Sequence, residues 1–188
     1  MKKTYQFTLV LKNVDENTEN LEDSLFEAGC DDALINFRNG TVFLDFDRES
    51  SSLEEAVMSA IKDVESASIG AIVATIAPED LVTESEVAMR LGIKRQAVSS
   101  WIKGIRRNNI LPFPKPIMKL SNKSPFWKWI DITKWLLCNH LIKEKEIVEN
   151  AIFLENLNAV LEERDAKTRK FRQQLLKKLD HHFNESSA

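Results

Sequence analysis

A chain of 188 residues, 43% hydrophobic and 29% charged with only 5 Gly and 5 Pro, has room for two small cores and is neither collagenous, low-complexity nor wholly disordered. Its net charge of −3 conceals a polarity: residues 1–82 carry 6 Lys and Arg against 17 Asp and Glu (net −11), residues 83–130 carry 10 against 2 (net +8), and residues 131–188 carry 10 against 10. A basic block beside an acidic one places the expected docking site for a polyanion in the middle of the chain, and no run approaches the roughly 18 apolar residues of a membrane span.

Met1-Lys2-Lys3 leads straight into an alternating pattern without a signal-peptide apolar region, so a cytoplasmic protein is expected. Tyr5, Phe7, Leu9 and Leu11 alternate with polar residues and Val10, as in a strand. Leu21, Leu25 and Ala28 recur at helical spacing, with Gly29 as a stop. Two β-rich runs, 33–37 and 41–46, flank Asn39-Gly40, the dipeptide that supplies the positive φ angles of a type I′ hairpin turn. Leu53, Ala56, Val57, Ala60, Ile61 and Val64 make one helical stripe, and 71–77 is a last strand closed by Pro78.

The order β-α-β-β-α-β predicts a ferredoxin-like domain over residues 1–80, with both helices on one sheet face. Val10, Phe43 and Val73 are expected on the other face, where they would favour cover by a partner domain or subunit. Cys30 and Cys138 sit in apolar patterns and read as reduced core thiols.

Residues 82–104, VTESEVAMRLGIKRQAVSSWIKG, have the layout of a helix-turn-helix. Thr83 and Glu86 form a capping box and Val82 with Val87 a hydrophobic staple. Val87, Ala88 and Leu91 face inward from the first helix, Gly92 serves the turn, and Ala97, Val98 and Trp101 face inward from the second. That leaves Arg95, Gln96, Ser99 and Ser100 outward, where base-reading side chains of a major-groove helix stand. Lys94 occupies the N-cap of the second helix, against both capping preference and the helix dipole; a phosphate docked there would resolve the conflict.

Farther on, 117–120 and 126–129 read as strands flanking a polar tip, Ser121-Asn122-Lys123-Ser124, with prolines 112, 114, 116 and 125 on the approach and edge. Trp127 and Trp129 are better explained by core packing than by base stacking. Expected backbone contacts are Thr83, Lys94, Lys103, Arg106, Arg107, Lys119, Lys123 and Lys128.

GIKRQAVSSW at 92–101 resembles the recognition segment of Cro/repressor-type regulators, and FPKPIMKLSNKSPFWKWIDITKWL at 113–136 is similar to the wing and closing helix of AlpA/excisionase-like and MerR-like winged helix-turn-helix proteins. The resemblance implies recognition-helix contacts from Arg95, Gln96, Ser99 and Ser100, with wing contacts to the DNA backbone. Lys94 departs from the pattern, standing where many relatives carry Ser or Thr.

The expected architecture is therefore α+β: an acidic domain over 1–80 for dimerisation, a partner or a ligand; a winged helix-turn-helix over 81–138; C-terminal helices over 139–182 for dimerisation, broken near 162–168; and a frayed tail over 183–188. The expected partners are duplex DNA and a second copy, without membrane, metal or cofactor. His140, His181 and His182 have no ligand at metal spacing, and phosphate-loop and nucleophile motifs are absent, so no enzyme is expected. Asp45 and Asp47 on one strand face leave a metal nuclease as a minor alternative. The main alternative is an interaction protein, such as an antitoxin or phage accessory factor, whose acidic domain binds a protein and whose helix-turn-helix serves autoregulation.

Overall fold

A computed structural model describes residues 2–78, 80–105, 111–120 and 124–185. The protein is mixed α and β, with a four-stranded antiparallel sheet, a smaller three-stranded sheet and seven helices among the described residues.

The first sheet is built from β1 (Lys3–Lys12), β2 (Ala33–Arg38), β3 (Thr41–Ser50) and β4 (Ile72–Ala77), in the order β2-β3-β1-β4. Between them run α1 (Leu21–Glu27) and α2 (Leu53–Ser66). Asn39 and Gly40 take φ 52° and 75°, the left-handed pair that lets β2 turn directly into β3. All six stripe residues of α2 are buried, and Ser52 caps the helix by accepting from the Glu55 amide.

Alternation puts Tyr5, Phe7, Leu9 and Leu11 of β1 and Val42, Leu44 and Phe46 of β3 on the helix-covered face. Phe7 and Phe46 are directly paired across the strands and stack with centroids 5.2 Å apart. Val10 and Phe43 stand on the opposite face, half-buried, as expected. Val73 does not. A register shift in β4, opposite the Val10–Leu11 step, pairs Val10 with Thr75 and Leu11 with Val73, leaving Ala74 as the extra residue. The shift breaks strict alternation, so Ile76 and Val73 both point into the core although three residues apart.

β3 also runs four residues beyond Phe46, and its next inward position holds Arg48, which is only 8% exposed. The guanidinium spends all five N–H donors: two on Asp32 at 2.8 Å, one on Asp63 at 2.7 Å, one on Ser59 at 3.1 Å and one on the Gly29 carbonyl at 2.9 Å. Its charge is further raised in stability by lying 4.9 Å from the Phe46 ring. Neighbouring Cys30 is buried, and desolvation pushes its thiol up to about 11 despite the nearby guanidinium.

The second group of elements comprises β5 (Leu81–Val82), α3 (Glu84–Arg90), α4 (Arg95–Ile102), β6 (Met118–Leu120), β7 (Ser124–Lys128) and α5 (Trp129–Cys138), with strand order β5-β7-β6. Its core joins Val82, Val87, Ala88, Val98, Trp101, Trp127, Ile132, Trp135 and Leu136. Cys138 corrects the expectation of a core thiol: it is exposed, because the inward face of α5 is set by Ile132, Trp135 and Leu136 and the helix has turned away two residues later.

Two long helices follow, α6 (Glu146–Glu163) and α7 (Ala166–Glu185), separated at Arg164–Asp165 within the polar stretch where a break is expected. α6 packs back onto the first sheet. Leu154 and Leu161 complete the core of the first sheet, with Phe153 and Leu157 packed against it. Asn158 completes the exposed edge of β4: its Oδ1 accepts from the Ile76 amide at 2.9 Å and the Thr75 hydroxyl at 2.8 Å, while its Nδ2 donates to the Ile76 carbonyl at 3.0 Å. Arg164 then forks onto Glu65 of α2 at 2.6 and 2.7 Å. No described helix is long and apolar enough to cross a membrane.

Candidate nucleic-acid interface

The α3–α4 pair is held by local signals that agree with one another. Thr83 accepts from the Glu86 amide at 3.3 Å while Glu86 accepts from the Thr83 amide at 2.6 Å, so two otherwise orphaned donors at the start of α3 are satisfied. Val82 and Val87 are both fully buried. α3 ends through Gly92 at φ 62°, and the Ile93 amide returns to the Ala88 carbonyl at 2.9 Å. Gly92 has open space where a Cβ would stand, so its backbone angle, not a close neighbour, favours glycine.

α4 buries Val98 and Trp101 and turns Lys94, Arg95 and Gln96 to solvent. Ser99 and Ser100 are half-buried, and the Ser100 hydroxyl donates to the Gln96 carbonyl at 2.8 Å, leaving its oxygen able to accept. Lys94 is the N-cap, extended at φ −71° and ψ 138°, with no side-chain cap and no acid in the first turn. Lys103 is exposed at the other end of the helix. Lys94, Arg95, Gln96, Ser99, Ser100 and Lys103 thus share one short helix and its caps. Arg95 is not wholly available: it lies 3.4 Å from Glu84 at the start of α3, as an exposed and weak pair.

The hairpin pairs Met118 with Phe126, Lys119 with Pro125 and Leu120 with Ser124. β7 starts earlier than the alternation predicts, at Ser124, and stops earlier, because Trp129 opens α5 with its amide on the Asp80 carbonyl at 2.7 Å. β5 reaches only Trp127 and Lys128, so Pro125 falls where β7 has β6 alone beside it and needs no second ladder partner. Lys123, Arg106 and Arg107 lie outside the described residues.

Lys128 is placed differently from the expected backbone contact. Its ammonium donates to Glu155 of α6 at 2.6 Å, and that bond raises its pKa. The acids that occupy Arg95 and Lys128 come from another helix in each case, and Glu155 is 27 positions away from its partner, beyond any local pattern. Lys115, exposed on the FPKP approach, is a further cation of the basic block that no motif marks in the sequence.

The tryptophans serve as packing, as the sequence favours. Trp135 Nε1 donates to the Leu111 carbonyl and Trp127 Nε1 to the Pro114 carbonyl, both at 3.0 Å. Phe113 meets both indoles edge-on, at 5.8 and 4.9 Å between centroids. Asn139, buried, accepts from the Leu111 amide at 3.1 Å. An extended proline-rich segment is thereby fastened onto the core and feeds the hairpin in a fixed direction. Trp129 is half-buried with the Arg90 guanidinium 5.0 Å over its ring.

On the first sheet, Asp45 accepts from Thr8 at 2.5 Å and Asn36 at 2.7 Å, and Asp47 from Gln6 at 2.7 Å, so both acids are engaged with neutral neighbours. No group of three or more His, Cys, Asp or Glu among the described residues could hold a metal ion. Neither a protein-family model, nor a curated protein, nor a solved structure matches the chain.

Proposed function

We propose that the protein is a sequence-specific, duplex DNA-binding transcriptional regulator of bacterial or phage type, in which a ferredoxin-like unit precedes a winged helix-turn-helix. In this reading α4 enters the major groove, Arg95, Gln96, Ser99 and Ser100 face base edges, and the β6–β7 hairpin lies along the backbone. Thr83, Lys94 and Lys103 flank the groove, and Lys119, Lys123, Arg106 and Arg107 belong to the same basic block of the sequence. The observation that carries the reading is the exposed Lys94-Arg95-Gln96 end of a helix whose opposite face is anchored by Val98 and Trp101. Two copies would read two half-sites, and the net −11 of residues 1–82 would keep that part of the chain off the polyanion. No catalytic step, metal or cofactor belongs to this function.

Selection of binding sequences from random duplexes tests it, and a sharp motif with two-fold symmetry is the expected result. Gln96→Ala separates reading from attraction. A Gln amide can pair bidentately with adenine, so the variant should lose about 1–3 kcal/mol on the selected site and far less on random DNA. Lys103→Ala should weaken both about equally. No enrichment, or equal loss on both DNAs in Gln96→Ala, would overturn the assignment of α4.

A further inference from the structure

The C-terminal charges, balanced when residues 131–188 are counted together, separate completely by helix. α6 carries five Glu and no Lys or Arg, whereas α7 carries six Lys or Arg against Asp180 and Glu185. α7 also leaves an apolar stripe uncovered: Phe171, Leu175, Leu176 and Leu179 are 41% to 60% exposed. At about 1.5 Å per residue, its 20 residues extend for roughly 30 Å. A helix of this kind, apolar on one side and cationic around it, calls for a trough that is apolar at its floor and acidic at its rim.

The molecule carries such a trough between α2 and α6. Ile152, Phe153, Leu157 and Val160 line it, Glu54 and Glu149 edge it, and its volume is about 520 Å³. α6 is apolar on two sides: Leu154 and Leu161 are spent on the first core, while Ile152 and Val160 remain 38% and 58% exposed in the groove. No residue of α7 lines it.

We infer that α7 of one copy seats its Phe171–Leu179 stripe in the α2–α6 groove of a second copy, with its lysines and arginines against the acidic rim. Within one chain α7 stays out of the groove. Arg164 keeps a helical backbone (φ −63°, ψ −27°) and is forked onto Glu65, and Asp165 caps α7 at once by accepting from the Thr168 amide at 2.8 Å. The two-residue connection Arg164–Asp165 is at the short end of what an αα-hairpin uses, and Arg172 is held at the near end of α6 by Glu162 and Glu163, while no residue of α7 reaches the groove residues farther along α6. Pairing of α7 with another α7 is opposed by charge, since each brings an excess of four cations to the contact. The inference concerns how two copies meet and stands without DNA.

The test uses full-length chains with exposed Cys138 replaced by Ser, one carrying Leu175→Cys and the other Val160→Cys, mixed under mild oxidation without DNA. A disulfide-linked mixed pair, at least about tenfold more abundant than either self-pair, is expected if α7 of one chain meets the groove of the other. A predominance of Leu175→Cys self-pairs would mean α7 against α7. A chain bearing both cysteines that closes within itself at monomer mass would mean docking in cis. Either result, or no pair at all, overturns the inference. In parallel, Glu54→Lys with Glu149→Lys should weaken self-association about threefold to tenfold by sedimentation, and Lys170→Glu with Lys178→Glu should restore it. Failure of this docking would leave the selection of DNA sequences untouched, and the reverse holds equally.

Discussion

Arg48 is a cation on the apolar face of a strand, held because every donor it brings is answered. Desolvation opposes its charge, and the carboxylates of Asp32 and Asp63 more than offset that, so its pKa lies above the ordinary arginine value. Removing it leaves two acids without their counter-charge beside buried Cys30. Arg48→Ala should therefore lower stability by about 3–5 kcal/mol, read as the fall in the urea midpoint at constant m-value. Arg48→Met with Asp32→Asn and Asp63→Asn removes the charges together and should recover most of that loss. A small effect of Arg48→Ala alone would mean that the cluster contributes little. Apolar alternation ends at Phe46, because an inward arginine breaks the pattern unless its partners are known, and Asp32 and Asp63 are 16 and 15 positions away. Cys138 shows the converse limit, since an apolar neighbourhood in sequence did not determine which way the last turn of α5 would point.

At the scale of elements, α6 is the piece that joins one core to the rest, and its attachment to α2 is expected to weaken at low pH. Hydrogen bonds from Arg164 hold the Glu65 carboxyl below its ordinary range, aided by the Val73 amide. A carboxyl lowered in the folded state gives its full stabilisation above the unfolded carboxylate pKa and loses it as pH falls through the folded value. Burial raises Asp80, which acts in the opposite sense: its contribution favours folding at low pH and fades as pH rises. Urea midpoints measured between pH 7 and pH 3 should accordingly fall less steeply in Glu65→Gln than in the parent; parallel curves would mean that the fork onto Arg164 carries no stability. Helices and turns with local signals were legible in the sequence: the α2 stripe, the Asn39-Gly40 turn and the Thr83–Glu86 box all form. What depended on distant partners was not. The β4 register shift that turns Val73 inward, and the Asn158 amide that closes the β4 edge, follow from pairing across 62 and 82 positions respectively.

Across the whole molecule, the charge blocks decide how strongly salt should weaken binding to a polyanion. The ten cations of residues 83–130 are an upper bound on phosphate contacts, because some already have acids beside them. Arg95 with Glu84 is a long pair from an exposed guanidinium that water and salt weaken readily, but Lys128 with Glu155 is a short bond from a less exposed cation. If about half the block reaches phosphates, the slope of log K against log salt is about −4 per protomer at most. Glu155→Gln then offers a test that a loss-of-function variant cannot, since it adds no contact and only releases Lys128. Tighter binding to every duplex, a slope steeper by roughly 1 and an unchanged preferred sequence are the expected outcome. Lys128→Ala should make the slope of the parent no shallower, because that cation is already spoken for, yet should abolish the gain in Glu155→Gln. A salt-independent affinity would remove the electrostatic basis for the middle of the chain as a DNA surface. An unchanged slope in Glu155→Gln would place Lys128 away from the phosphates and confine the surface to α4 and its flanks.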